Sequence, residues 1–269
     1  MAKASATKEI EKKEPAGELA GFDYGADAGA GYENVGQDEF SIPFISLLQS
    51  GSPQVKGANK IEGASEGMLF NTVTGEVFDT IEFIPAYRTK EMVEWIPRDK
   101  GGGYVGSYPM DDPVVEKAKA NAGGSRDLKT DAGNDLVETV YLYGIHLSDG
   151  GPVPIVISFT STKLKVWRNI VTQLNMFQIP QGDRRINPPL FAHRLKLGSK
   201  DESNPKGDFS NFTIEPAEGS VRESLVDPAS AEYTVARDLV DLVKSGAGRA
   251  ATETLTPEGG DEDEVDAGY

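Results

Sequence analysis

Apolar positions along this chain alternate with polar ones more often than they recur at helical spacing, so strands dominate the expected structure. An apolar run at 42–48 (IPFISLL), closed by Gly51, Ser52 and Pro53, reads as a short docked segment or helical turn. Residues 69–72 and 76–78 then flank Thr74-Gly75, a hairpin signal. Two aromatic and β-branched runs, 80–88 (TIEFIPAYR) and 92–97 (MVEWIP), are separated by polar Thr89, Lys90 and Glu91, and 104–108 follows three glycines. This pattern predicts a second hairpin with a glycine-rich extension. The runs 139–147 (TVYLYGIHL) and 153–159 (VPIVISF) bracket Ser148-Asp149-Gly150-Gly151, the strongest hairpin signal in the chain. A last strand pair is expected at 190–197 and 209–214, across a polar loop at 198–207.

Helical periodicity is confined to a few stretches. Asp112-Pro113 opens a short helix as N-cap and first helical residue, Gly123-Gly124 ends it, and 127–135 reads as a loop. Leu164, Trp167, Ile170 or Val171, Leu174 and Phe177 form one apolar stripe, with Lys163, Lys165 and Arg168 off it and Pro180 as the stop. Asp227-Pro228 opens a terminal helix to about Lys244, with Gly246 as its stop. The order of elements predicts a mainly β fold, an OB-fold-like five-stranded barrel with extra strands, an internal helix between its third and fourth strands, and a C-terminal helix. A β-sandwich with a helix is the competing architecture. The expected organisation is a disordered arm over 1–38, one domain over 39–219, the C-terminal helix within 220–245 and a disordered acidic tail over 246–269.

Charge sharpens this picture. The formal charge is −16, distributed as −5 over 1–39, −3 over 40–219 and −8 from Ser220 onward, so the excess sits at the ends. Within the middle, 161–200 carries Lys163, Lys165, Arg168, Arg184, Arg185, Arg194, Lys196 and Lys200 against the lone Asp183, a net +7. A basic block inside an acidic protein points to an anionic ligand; the plainer alternative is a solvated face whose charges pair with acids elsewhere. The final residues, EGGDEDEVDAGY, lack the apolar surface to fold, so their use lies in charge and in an exposed aromatic end. Asp261, Glu262, Asp263, Glu264, Asp266 and Tyr269 are the candidate partner-binding residues, through groove competition or capture of other proteins. The chain has no cysteine, which excludes disulfides and thiolate chemistry. The N-terminus lacks a signal-peptide core and no apolar run reaches the roughly 18 residues of a membrane span, so a cytoplasmic protein with no membrane partner is expected.

Binding single-stranded nucleic acid without sequence preference needs cations for phosphates and aromatic faces for bases. Tyr87, Arg88, Lys90, Trp95, Arg98, Lys100, Tyr104 and Tyr108 interleave both types; Tyr141 and Tyr143 share a strand face, either as core or as a stacking platform. Arg194 and Lys196 share a face of the expected strand 190–197, while Trp167 and Phe177 lie on the helix stripe as core. Catalytic and metal constellations are thin. His146 and His193 are the only histidines and lack metal-ligand spacing, so no metal or cofactor is expected. Asp111-Asp112 reads as a cap, and 261–264 as tail, before either reads as a Mg²⁺ site.

The segments IPFISLLQSGSPQ (42–54), IEFIP (81–85), EWIPR (94–98) with three glycines nearby, and FSNFTIE (209–215) resemble phage-encoded proteins of DNA replication and recombination. The acidic tail with a terminal aromatic is similar to the tails of phage and bacterial single-stranded DNA-binding proteins. The resemblance implies an oligonucleotide-binding fold without enzymatic activity that coats single strands in the host cytoplasm. It further implies a tail that recruits replication or recombination proteins, and it leaves homo-oligomerisation open. The alternatives are a metal-dependent nuclease or other DNA-processing enzyme, and a virion or scaffold protein.

Overall fold

A computed structural model of the chain describes residues 25–27, 30–33, 41–57, 59–205, 207–246 and 248–250. The chain divides into two units, Met1–Glu39 and Phe40–Tyr269. In the first, a 3-10 turn at Gly25–Asp27 precedes a turn in which the Gly31 N–H donates to the Glu33 carboxylate at 2.8 Å. The acidic tail lies outside the described residues.

The second unit begins with β1 (Ser41–Ile42), β2 (Ile45–Leu47), β3 (Leu69–Asn71) and β4 (Val77–Phe78). The β3–β4 turn forms at Thr74-Gly75 as expected: the Asn71 side chain accepts from the N–H groups of Val73 and Thr74, and Gly75 takes the left-handed φ of 78° that the turn needs. Next come β5 (Ile81–Ile96), β6 (Gly103–Pro109), α1 (Pro113–Ala122), β7 (Leu128–Lys129), β8 (Asp135–Ser148) and β9 (Gly151–Phe159). The Asp112 carboxylate caps α1 by accepting from the Val114 N–H at 2.8 Å, and Gly123 ends it in the left-handed region. Then follow α2 (Lys163–Met176), β10 (Ile179–Gln181), β11 (Arg184–Ile186), β12 (Leu195–Asn204), β13 (Gly207–Pro216), α3 (Ala231–Lys244) and β14 (Arg249–Ala250).

The expected break at Thr89–Glu91 is absent. These residues pair with 139–141 of β8, and β5 is one 16-residue strand. Its irregularity towards β8 lies instead between Pro85 and Tyr87, opposite Gly144. There a Cβ on residue 144 would stand 2.7 Å from the Ile84 carbonyl oxygen, so only glycine admits the close approach of the two strands. β5 and β8 form the spine of an antiparallel sheet whose flanking strands change along its length. One end reads β13-β12-β5-β8-β9; at the other, β6 and β7 replace the outer strands.

Three apolar clusters hold helices against this spine. Leu164, Trp167, Ile170 and Leu174 of α2 pack with Phe83, Leu142, Ile157, Phe159 and Phe212, and with the β2–β3 strands. On the opposite face, Ala236, Leu239 and Val240 of α3 cover Ile84, Ala86, Tyr141, Tyr143 and Ile145. Val115 and Ala118 of α1 sit on Met92 and Leu136 at the far end.

The fold is mainly β, and its antiparallel ladders do not close into a barrel. The segment 43–49 instead runs from one edge of the five-stranded end to the other. The Val156 N–H of β9 donates to the Pro43 carbonyl at 2.8 Å, and the Gln49 amide both donates to and accepts from the Ser210 backbone of β13. A side-chain amide thus occupies the outer edge of β13 at Ser210, where another strand could otherwise pair.

Other expectations shift by a few residues for identifiable reasons. The expected loop at 198–207 is the body of the β12–β13 hairpin, which runs past the start of β5; its tip is largely exposed on both faces, which removes the apolar alternation. Residues Leu190–Ala192 are a 3-10 turn, and the strand starts at Leu195. α3 begins after Ser230 rather than at Asp227, because the Asp227 carboxylate accepts from Ala229 in a separate turn while the Ser230 hydroxyl caps Tyr233. The ribbons β10–β11 and β1–β14 had no signal, being two or three residues per strand.

Candidate nucleic-acid interface

The pleat of β5 separates what the sequence interleaves. After the bulge, Arg88, Lys90, Met92 and Glu94 stand opposite Leu142, Val140, Glu138 and Leu136, on the face carrying α1 and α2. Tyr87, Thr89, Val93 and Trp95 stand opposite Tyr143, Tyr141, Val137 and Asp135, on the α3 face. Cations and aromatic rings of this strand therefore belong to different surfaces.

On the cationic face, the α1 and α2 clusters leave a charged stretch of sheet between them. Lys90 Nζ lies 3.1 Å from Glu138 Oε1, and Arg168 Nη2 of α2 lies 3.6 Å from the same oxygen. Arg88 is exposed two residues before Lys90 on the same strand face. The structure so brings together Lys90 from one predicted group with Arg168 from the other, around a single carboxylate.

Three other cations of the basic block, all on β12 or just before it, stand beside acids. Arg194 reaches Glu82 at 3.5 Å and also pairs with Glu218. Lys196 lies between Glu82 and Glu215 on the neighbouring strands. Lys200 pairs with Glu202 at 2.7 Å; burial pushes the Glu202 carboxyl up, but hydrogen bonds from Lys200 and Asn211 and the charges of Lys200 and Lys165 hold it below the usual range. Lys163 is buried, with its ammonium 4.9 Å from the centre of the Phe212 ring. Arg184 and Arg185 are exposed on the β10–β11 ribbon and have no ion pair among the described residues.

The aromatic candidates divide by depth. Tyr141 and Tyr143 are 3% and 8% exposed beneath α3, so they serve as core, not as platforms; burial pushes the Tyr141 phenol up and that of Tyr143 to about 12. Tyr87 is half-buried, with the Lys244 ammonium 5.5 Å from its ring centre. Trp95 and Tyr104 are half-exposed and meet edge to face at 5.8 Å, with exposed Lys100 in the adjoining 3-10 turn. The side chain of Arg98, in the same turn, is outside the described ones, as are the tail residues Asp261, Glu262, Asp263, Glu264, Asp266 and Tyr269. Of the two rings expected as core, Trp167 is buried and Phe177 half-buried, edge-on to His193 and beneath the Arg222 guanidinium.

Tyr108 is engaged otherwise. Its hydroxyl donates to Glu94 at 2.7 Å, and Glu94 also accepts from Asn134 at 2.8 Å and Thr130 at 2.9 Å. Burial pushes the Glu94 carboxyl up, yet these three donors outweigh it and hold the group below its usual range. The network ties β6 and the loop before β8 to β5. Its one sequence signal was a carboxylate in the middle of the apolar run MVEWIP.

Neither histidine has metal-ligand company: no group of three or more His, Cys, Asp or Glu able to hold a metal occurs among the described residues. His193 is 1% exposed, and burial pushes its pKa down to about 4; His146 lies edge-on to Phe78 and is also pushed down by burial. Among the described residues no helix is long and apolar enough to cross a membrane.

No curated protein and no solved structure matches this chain. A family model described as Pam3 phage gp34-like protein matches residues 11–249, an interval that holds the long β5–β8 spine, all three helices and the Arg88–Lys90–Glu138–Arg168 cluster. With most of its length matched, the chain is a phage protein and belongs to the Pam3 phage gp34-like protein family.

Proposed function

We propose that this protein binds single-stranded DNA during phage replication or recombination, as a coating protein without enzymatic activity. The observation that carries the reading is the convergence of Lys90 and Arg168, from the sheet and from a helix, on one carboxylate beside exposed Arg88. Two cations against one acid, with exposed Arg88 on the same strand face, leave a net positive charge there, as the site of a polyanion requires. The strand order supports an oligonucleotide-binding architecture. In chain order β5, β8, β9, α2, β12 and β13 place the helix between the third and fourth strands, and β5 lies between β8 and β12. On that reading, β6, α1 and β7 elaborate the loop between the first two strands, one of the loops that bind ligand in such folds. Trp95 and Tyr104, with Lys100, offer ring faces at the tip of this elaboration. The acidic tail competes for the cations and recruits replication proteins through Tyr269.

The test is a titration of the full chain against single-stranded and duplex oligonucleotides over a range of salt. Preference for single strands is expected, with log K falling by about 0.7 per log unit of salt for each phosphate neutralised. Equal affinity for duplex, or an affinity indifferent to salt, would refute the reading. Mg²⁺-dependent cleavage in the same samples would favour a nuclease, and stable assembly without DNA a scaffold.

A further inference from the structure

The face that a five-stranded oligonucleotide-binding fold offers to its ligand, the outer side of the second and third strands, is closed in this chain. Tyr141, Tyr143 and Ile145 of β8 and Val156 of β9 are buried in the cluster that α3 completes. The opposite side of the molecule has the complementary property. α2 contains no Asp or Glu, in a protein with 43 of them. Lys165, Arg168, Asn169, Thr172 and Gln173 are exposed along it, so its solvent stripe is cationic at the head and neutral further on, ending in exposed Met176. The C-terminal end of α2 is joined to the β10–β11 ribbon. Asn187 donates to the Asn175 carbonyl of α2 and accepts from the Gln178 side chain at 3.3 Å, which fixes the ribbon's foot to the end of the helix. The ribbon carries exposed Arg184 and Arg185 against one exposed acid, Asp183, in its turn.

Resting on the single-strand-binding reading above, we propose that the DNA strand lies along the exposed stripe of α2, from the Lys90–Glu138–Arg168 cluster to Arg184 and Arg185. In this arrangement Glu138 holds the place of a backbone phosphate at the head of the track. One carboxylate oxygen faces an ammonium at 3.1 Å and a guanidinium at 3.6 Å from two different elements, the arrangement a phosphate oxygen takes over when it displaces the acid. The helix of 14 residues is about 21 Å long, so the track seats several nucleotides. Neutral Asn169, Thr172 and Gln173 between its two cationic ends impose no repulsion on the intervening phosphates.

The experiment measures salt-dependent binding of a single-stranded oligothymidine to the full chain and to three variants. Glu138→Gln removes the competing anion without changing shape. Its affinity is expected to rise several-fold at low salt, and its salt slope to steepen by about 0.7 as one more phosphate is neutralised. Arg185→Glu, on the exposed ribbon, is expected to weaken binding and flatten the slope by a similar amount. Arg237→Glu, on the outward side of α3, is the control and should change neither. Melting temperatures of the variants establish that each is folded. A Glu138→Gln protein that is folded and binds no better, or an Arg237→Glu loss as large as that of Arg185→Glu, overturns the track while leaving single-strand binding in place. Failure of the unchanged protein to bind single strands refutes both.

Discussion

The two faces of the β5–β8 spine carry helices of equal length, 14 residues each, yet the charges these helices leave outside differ. On the α3 face the sheet contributes tyrosines and aliphatic residues that the helix seals, and α3 itself bears Glu232, Asp238 and Asp241 together with Arg237 and Lys244 on its polar side. On the α2 face the helix is just as firmly anchored, by Leu164, Trp167, Ile170 and Leu174, but its solvent side has no acid, and the sheet beside it ends in Arg88, Lys90 and Glu138. Burial alone does not tell a binding face from a structural one. What differs here is the charge left outside, mixed acids and bases on α3 against only cationic and neutral residues on α2, since a helix needs only one face to fold.

The largest effect expected from breaking this comparison is Trp167→Ala. It empties the core beneath α2, where the ring packs on Phe159 at 5.7 Å, and is expected to cost about 3–5 kcal/mol of stability in denaturant unfolding. DNA binding by whatever fraction remains folded should be normal if the ring is purely core.

A second, smaller effect is pH-dependent. His193 stays neutral in the folded protein down to about pH 4, whereas in the unfolded chain it takes a proton near its ordinary value of about 6.5. Its folded pKa is depressed, so its contribution to stability is intact above about pH 6.5 and is lost as pH falls from there toward 4, by at most about 3 kcal/mol. Comparing unfolding at pH 7 and pH 4.5 checks this. A His193→Gln variant, which cannot be protonated, should lose that part of the pH dependence while the carboxylates keep theirs.

Glu94→Ala is expected to cost about 1–3 kcal/mol, since it deprives Tyr108, Thr130 and Asn134 of their shared acceptor at the far end of the spine. Hydrogen exchange should then rise in β6 and β7 before it rises around α2. Trp95→Ala sharpens the contrast between the faces from the other side. If the half-exposed ring stacks on a base, the variant loses about 1–3 kcal/mol of single-strand affinity with little change in melting temperature. A loss of stability with unchanged affinity would make Trp95 part of the α3 core instead.

Elements with strong local chemistry were legible in the sequence: the Asp112-Pro113 start of α1, the apolar stripe of α2, the Thr74-Gly75 turn and the tight connection between β8 and β9 each rest on residues within a few positions of one another. The long β5 was not, because Thr89–Glu91 look like a break until β8 supplies their partners, and neither was the hairpin body of β12 and β13. Within the candidate site, neighbours in sequence are not neighbours in space. Arg88 and Trp95 are close in sequence but lie on opposite faces, whereas Lys90 and Arg168 are distant in sequence and share Glu138.

The amino-acid sequence by itself determined the mainly β character, the boundaries of α1 set by its cap and glycine, and the concentration of negative charge at both ends. These follow from period, turn chemistry and composition, which need no partner. Only the tertiary structure decided which tyrosines are core, which cations are neutralised by acids across a strand, and which face remains cationic. Each of those depends on what stands opposite in the sheet, and register is a long-range property that no local window contains.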